Sequence, residues 1–225
     1  VASTTVTVLP TPTATISGDN SVCQNSTPEP DVVFTNPQSL PVRLTYNING
    51  GSTQTIDIAA NSSETESVST TTVGDFVYNL VSVEYQSTPG CTNSLSGSVT
   101  VTIRPEAPVA PGVITGNDYV LPAGSETYTI SAVPNATDYF WEVPSGWVIV
   151  SGQGTTSITV TTGVAGNSGN ISVTAKNDCG DSPATTLSVD VNPNLAIVIQ
   201  PVSQSDCYGN SVLFSVSISG GAAPI

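Results

Sequence analysis

Apolar residues alternate with Thr, Ser and Asn in short runs along most of the chain. Nowhere do they hold a 3.6-residue period long enough for a helix. Val42 to Ile48 puts Val42, Leu44, Tyr46 and Ile48 on one face and runs into Asn49-Gly50-Gly51. That is a strong hairpin signal, because a type I′ turn needs positive φ at both central residues. Thr53 to Ile58 reads as the return strand. In Phe76 to Tyr85, Phe76, Tyr78 and Leu80 share one face while Val77, Val81, Val83 and Tyr85 share the other, so the inward face stays open. Further along, Thr127–Ile130, Tyr139–Val143, Trp147–Val150, Thr156–Val160 and Ile171–Ala175 read as strands. Turn signals separate them at Pro144-Ser145-Gly146, Ser151-Gly152-Gln153-Gly154 and Asn177-Asp178-Cys179-Gly180. About seven short strands in some ninety residues is the pattern of a β-sandwich.

The pattern also repeats. Alternating β-branched runs closed by proline occur at Thr4–Pro10, Ser98–Pro105 and Thr186–Pro193, with the prolines 95 and 88 residues apart. Each reads as the last strand of a domain, closed by a residue that cannot donate to a ladder. The openings match as well: Ile16-Ser17-Gly18-Asp19-Asn20 has its counterpart in Ile114-Thr115-Gly116-Asn117-Asp118. Ala196–Pro201 is a third candidate opening, and Ser205-Asp206-Cys207 parallels Ser21-Val22-Cys23. The expected organisation is a final strand of a preceding domain at 1–10, complete sandwiches at 11–105 and 106–193, and the start of a further repeat at 194–225. On this parsing the polypeptide is expected to continue in both directions.

Composition narrows the function classes. Of 225 residues only 9% are charged, and 3 Lys plus Arg against 17 Asp plus Glu give a net charge of −14. Nucleic-acid binders need clustered cations to displace counterions, and docking on anionic lipid needs them too. Neither partner is therefore expected. Histidine is absent, which removes imidazole as base, shuttle or metal ligand. No apolar run approaches the ~20 residues of a membrane-spanning helix.

The residues Tyr139-x-Trp141-x-x-Pro144-x-Gly146-Trp147, then Ser151-Gly152-x-Gly154-Thr155, then Val173-x-Ala175-x-Asn177-x-Cys179-Gly180, resemble the PKD-like and Ig-like repeats of very large surface proteins of gliding and related Bacteroidota. Ile16-Ser17-Gly18, Cys23, Tyr46-x-x-Asn49-Gly50-Gly51, Tyr78-x-Leu80-x-Ser82-Val83 and Gly90-Cys91 look like a companion repeat. Gln200-Pro201 through Cys207-x-Gly209-x-Ser211-Val212-x-Phe214 looks like the start of another. PKD domains proper carry Gly-Asp-Gly after the Trp strand, where this chain has Pro144-Ser145-Gly146 and so sides with the PKD-like group. The resemblance implies an all-β chain of tandem Ig-like and PKD-like β-sandwiches in a linear array. It also implies type IX secretion and display on the bacterial cell surface. The nearest functional expectation is a non-catalytic spacer of an adhesive filament, as in gliding-motility adhesins of the SprB type. The expected partners are neighbouring repeats of the same chain, surface polysaccharide or other cell-surface proteins. The alternative is a carbohydrate- or protein-binding accessory module of a secreted polymer-degrading enzyme, which would present exposed aromatics on one sheet face.

The remaining candidates are few. Cys23 and Cys91 fall in one expected domain, 68 residues apart, and an extracellular setting makes them a disulfide candidate. The loop-closure model values such a bridge at about 4 kcal/mol. Cys207 would pair beyond Ile225, and Cys179 has no partner by the same logic. No two cysteines have zinc-ligand spacing. Glu64 and Glu66 read as a Ser/Thr-rich loop, without the facing carboxyl pair a glycosidase needs. Asp118, Asp138, Asp178 and Asp181 read as turn residues, which leaves weak Ca²⁺ binding open, although no EF-hand run is present. No catalytic, cofactor or metal residue is assigned. Tyr46, Tyr78, Tyr139 and Trp141 are the core aromatic candidates. Trp147, just after a turn, is either core or a surface for stacking on sugar. Lys176 is the only lysine and points away from the Ile171/Val173/Ala175 face, against an isopeptide cross-link. Sequons at Asn25, Asn61, Asn135 and Asn170 carry little weight in a bacterial chain.

Overall fold

The structure is a computed structural model that describes residues 8–87, 90–192, 196–199, 208, 211, 213 and 217–219. The first expected strand, Thr4–Leu9, lies mostly outside the described residues, as does most of 194–225. Every regular element among the described residues is a strand. The chain divides into two compact units at Glu106/Ala107.

Unit 1 contains β1 (Thr15–Ser17), β2 (Asn20–Cys23), β3 (Asp31–Asn36), β4 (Val42–Ile48), β5 (Thr53–Ile58), β6 (Ser62–Ser67), β7 (Gly74–Tyr85), β8 (Thr92–Ser94) and β9 (Ser98–Arg104). One sheet has the order β1-β3-β6, the other β2-β9-β7-β4-β5 with β8 against β7. Their inner faces meet in one core that includes Val32 and Phe34 from the first sheet and Val42, Leu44, Tyr46, Val101 and Ile103 from the second. The β4–β5 hairpin turns at Asn49 (φ 52°) and Gly50 (φ 70°), both left-handed as a type I′ turn requires. Asn49 also ties the turn to β7: its Nδ2 donates to Asp75 O at 3.0 Å and its Oδ1 accepts from Val77 N at 2.7 Å.

The open face of β7 has a definite answer. Thr45 is level with Ser82 and Tyr46 with Leu80, so Val81 is an extra residue in the ladder. A one-residue bulge exchanges the two faces of a strand. Tyr78 and Leu80 therefore point inward before it, and Val83 and Tyr85 after it. The bulge falls where the other neighbour of β7 changes from β9 to β8: Leu80 N donates to Gly97 O and Leu95 N to Val81 O. Glu64 and Glu66, expected in a loop, lie on β6. A strand with no apolar residue gives no periodic signal.

Unit 2 contains β10 (Tyr119–Val120), β11 (Ser125–Thr129), β12 (Asp138–Glu142), β13 (Val148–Ser151), β14 (Ser157–Thr161), β15 (Gly169–Asn177), β16 (Gly180–Asp181) and β17 (Thr185–Val191). Its sheets are β10-β17-β15-β12, with β16 against β15, and β11-β14-β13. Trp141, Ile171, Val173 and Ala175 of the first face Tyr128, Ile158 and Val160 of the second across a common core. A final antiparallel pair, β18 (Ala196–Ile199) with β19 (Ser217–Ser219), follows.

Both units begin the same way. Their opening segment pairs first with one sheet and then crosses to the other, where it runs parallel to the last strand. In unit 1, β1 lies antiparallel to β3 and β2 parallel to β9. In unit 2, Thr115 bridges Thr129 and β10 runs parallel to β17. The matched glycines Gly18 and Gly116 sit at the crossing. A Cβ on Gly18 would collide with the Asp31 carbonyl, and one on Gly116 with the Tyr128 ring.

Candidate functional site

The most elaborate polar arrangement in unit 2 surrounds its two tryptophans. Trp141, on β12, is 1% exposed, and its indole Nε1 donates to Thr155 O at 2.8 Å. Trp147 is 6% exposed, and its Nε1 donates to Asn167 O at 2.9 Å. Asn167 Nδ2 in turn donates to Ser145 O at 3.0 Å, inside the Pro144-Ser145-Gly146 turn. Trp147 is therefore a core residue with its one donor satisfied, and it offers no face to a sugar.

Gln153 belongs to no motif in the sequence, yet it closes an exposed sheet margin. β12 is the last strand of its sheet. The Gln153 carboxamide lies alongside it as a neighbouring strand would: Trp141 N donates to Gln153 Oε1 at 3.1 Å, and Gln153 Nε2 donates to Trp141 O at 3.0 Å. Gly154 N extends the contact by donating to Tyr139 O at 3.0 Å. The loop 151–155 thus occupies groups that would otherwise template pairing with another chain.

In unit 1 the corresponding cluster is aromatic. The Phe34 and Tyr46 ring centroids are 4.8 Å apart and tilted by 38°; those of Tyr46 and Tyr78 are 6.0 Å apart and stacked. The Tyr46 hydroxyl donates a very short hydrogen bond to the Glu66 carboxylate, with Gln54 Oε1 also at 3.2 Å. Burial, then that hydrogen bond, then the Glu66 charge hold the Tyr46 phenol well above its ordinary pKa. Burial and the Glu66 charge raise Tyr78 as well. Glu66 is thus tied to the core rim by a phenol. In unit 2 burial, with help from Glu126 and Asp118, pushes Tyr128 up to about 12. Its hydroxyl donates to Asn117 O at 2.8 Å.

The core candidates Tyr46, Tyr78, Tyr139 and Trp141 all lie in the two cores. The Tyr139 hydroxyl accepts from Val133 N at 2.8 Å.

The cysteines depart from expectation. Cys91 is a free thiol, while Cys23 and Cys179 are both disulfide-bonded, so there is no Cys23–Cys91 bridge and Cys179 is not unpaired. Register explains the first point. Cys23 is level with Arg104, next to the level of Gly74 at the start of β7, whereas Cys91 O accepts from Tyr85 N at its end. Those ends are eleven residue steps apart, about 36 Å at a strand's rise, against the ~7 Å Cα limit for a disulfide. Oxidised cysteines fit an extracellular protein. Cys207 lies outside the described residues.

Of the four turn aspartates, Asp138 opens β12 and Asp181 ends β16 rather than lying in turns. Both are register partners of Lys176, which reaches Asp181 Oδ2 at 2.6 Å and stands 5.2 Å over the Phe140 ring. The cation between these two strands is thus a lysine's. Asp118 uses its backbone O to accept from Asp190 N, and Asp178 lies in the turn between β15 and β16. Among the described residues no group of three or more His, Cys, Asp or Glu is placed to hold a metal ion. No described helix is long and apolar enough to cross a membrane.

Residues 107–189, most of unit 2, match the PKD-like domain family. No curated protein matches the chain. Among solved structures, one chain of the complex of the mouse coronavirus receptor-binding domain with its murine receptor is 12% identical, with a TM-score of 0.49, over 80% of this chain and 100% of that one. The Sidekick-1 immunoglobulin domains 1–5 are 12% identical, TM-score 0.46, over 92% of this chain and 45% of that one. The chicken CNTN1 FN1–FN3 domains are 10% identical, TM-score 0.37, over 80% of this chain, which spans 65% of theirs.

Proposed function

We propose that this chain is a non-catalytic spacer segment of a protein secreted to a bacterial cell surface, carrying tension between an adhesive element and the envelope. The observation that carries this reading is the parallel pairing of opening and closing strands in both units. Parallel neighbours run in the same direction, so the chain enters each unit at one pole and leaves at the other. Tension across such a unit loads the pair along its length, and all its hydrogen bonds must fail together. β2–β9 has four register pairs and β10–β17 two, so unit 2 is the weaker link.

Three further observations support the reading. The PKD-like match covers most of unit 2, two cysteines are oxidised, and the −14 charge keeps an extended surface polymer from gathering on polyanions. The finer assignment, a gliding-motility adhesin exported by the type IX route, rests on the sequence resemblance. Its partners would be neighbouring repeats and surface polysaccharide or proteins.

The test is single-molecule extension of the full chain held at its two ends in the presence of a reductant, so that no disulfide carries the load in place of the strand pairs. Two separate rupture events are expected, unit 2 yielding at the lower force. Extension without a rupture peak would overturn the spacer. A glycan-array signal lost on Tyr119→Ala and Phe140→Ala together would favour the accessory-module reading. Those two exposed rings share a sheet face but sit at far corners, about 20 Å apart along the strands and about 14 Å across them.

A further inference from the structure

The β4–β5 hairpin carries the only Asn-Gly pair in the chain, Asn49-Gly50, and both residues are exposed to water. Asparagine before glycine is prone to self-modification, because no Cβ hinders the approach of the glycine nitrogen to the side chain. Gly50 N attacks Asn49 Cγ, its proton leaves with the carboxamide nitrogen as ammonia, and a cyclic imide closes. Water then opens the imide at one of its two carbonyls, leaving an aspartyl or an isoaspartyl link. We infer that Asn49 is a deamidation site held shut by the folded turn, so that the modification marks chains in which this end of unit 1 has opened.

Named hydrogen bonds do the shutting. The nucleophile, Gly50 N, donates to Asn47 Oδ1 at 2.9 Å, and Asn79 Nδ2 on β7 holds that same oxygen at 3.2 Å. The electrophile is pinned to β7: Asn49 Nδ2 donates to Asp75 O at 3.0 Å and Asn49 Oδ1 accepts from Val77 N at 2.7 Å. Asn49 N also donates to Val77 O at 2.8 Å. Both reacting groups are thus engaged elsewhere, and the imide cannot close until these bonds break. The products do not fit back. An aspartyl carboxylate has no N–H for Asp75 O and sets negative charge against it. An isoaspartyl link adds a main-chain atom to a turn that needs two left-handed residues in succession. A modified turn therefore re-forms less well. On the spacer reading, on which this last step rests, unit 1 keeps a chemical record of its openings under load.

Peptide mapping after incubation at mildly alkaline pH tests this, on the full chain and on a synthetic peptide of residues 45–53. The native chain is expected to convert at least about tenfold slower than the peptide. In urea that unfolds unit 1, the two rates should meet. Asn47→Ala frees Gly50 N and should speed conversion several-fold while hydrogen exchange in β3 and β9 stays slow. Asn47→Asp keeps the acceptor and should stay as slow as wild type. If Asn47→Ala also loosens β3 and β9, the unsubstituted chain in a urea series is read in its place, and its conversion must rise with the unfolded fraction of unit 1. Native conversion at the peptide rate, a folded Asn47→Ala chain no faster than wild type, or conversion indifferent to urea overturns the inference. None of these results bears on the rupture events expected of the spacer, so the two readings fail separately.

Discussion

Replacing Gln153 tests whether a side chain really stands in for a strand at the margin of β12. Gln153→Ala removes two hydrogen bonds to the Trp141 backbone. Each is worth about 1 kcal/mol net, and water reaches part of this edge, so the expected loss is about 1–2 kcal/mol. Gln153→Glu is the sharper variant. It keeps an acceptor for Trp141 N but sets a carboxylate oxygen against Trp141 O, so at neutral pH it should destabilise more than alanine does. Its carboxyl is then harder to ionise folded than unfolded, which raises the folded pKa. Stability held by a group of raised pKa is present below the unfolded value and lost as pH rises through the folded one. The Gln153→Glu variant should therefore recover towards wild type as pH falls from 7 to about 4, when a protonated carboxyl can donate to Trp141 O. Both tryptophans lie in unit 2, so indole fluorescence during urea unfolding of the whole chain reports that unit alone. A slope of about 1 kcal/mol/M makes the alanine shift about 1–2 M in midpoint. An alanine variant within about 0.3 kcal/mol of wild type, together with a glutamate variant whose deficit ignores pH, would refute the strand-mimic argument.

Trp147→Phe should cost unit 2 about 1–3 kcal/mol, since Asn167 O loses its donor in a buried site, whereas a surface platform would tolerate the change; urea midpoints decide it. Raising the pH from 10 to 12 should progressively destabilise unit 2 and lower its urea midpoint, because Tyr128 is held neutral up to about 12 when folded, and the unfolded phenol, ordinary at 10, ionises first. Indole fluorescence follows this loss, and Tyr128→Phe should move it to higher pH. Alkylation of the unreduced, denatured chain followed by peptide mapping should label Cys91 but neither Cys23 nor Cys179 until a reductant is added; label on Cys23 before reduction would contradict the oxidised state.

The parts of the fold that are readable from sequence are those where apolar and polar residues alternate without interruption. Val42–Ile48 with its Asn49-Gly50 turn, and Ile171–Ala175, are such segments, and both have the expected inward faces. Alternation fails at β7 for a definite reason: the extra residue Val81 moves the inward positions from even to odd numbers within one strand. It fails at β6 because that edge strand, Ser-Ser-Glu-Thr-Glu-Ser, contributes Glu66 to the core rim through a phenol rather than through an apolar group. Gln153 is silent for a third reason. Its role depends on backbone groups of Trp141, twelve residues away, and backbone groups leave no mark in a sequence. The Cys23–Cys91 expectation went astray because membership of one domain says nothing about position along a strand, and β7 separates the two by its full length.

What recurs between the units is the crossing of the opening segment from one sheet to the other, with the positions around it free to differ. Gly18 and Gly116 occupy the same place, but one clears a backbone carbonyl and the other a tyrosine ring. Past the crossing, four register pairs join β2 to β9 and only two join β10 to β17. Unit 1 reinforces its opening further: Asp19 Oδ1 accepts from Thr100 N at 2.6 Å and Gln24 N donates to Arg104 O at 2.7 Å. Unit 2 has Asp190 N on Asp118 O at 2.8 Å and Asn192 N on Val120 O at 3.0 Å. On the proposed spacer reading, such differences are the ones a polymer under tension can use. Units of equal strength would fail at one force, whereas graded terminal pairs let a weaker unit lengthen and lower the load before a stronger one opens. Lengthening β10–β17 should then raise the force at which unit 2 yields without changing its core.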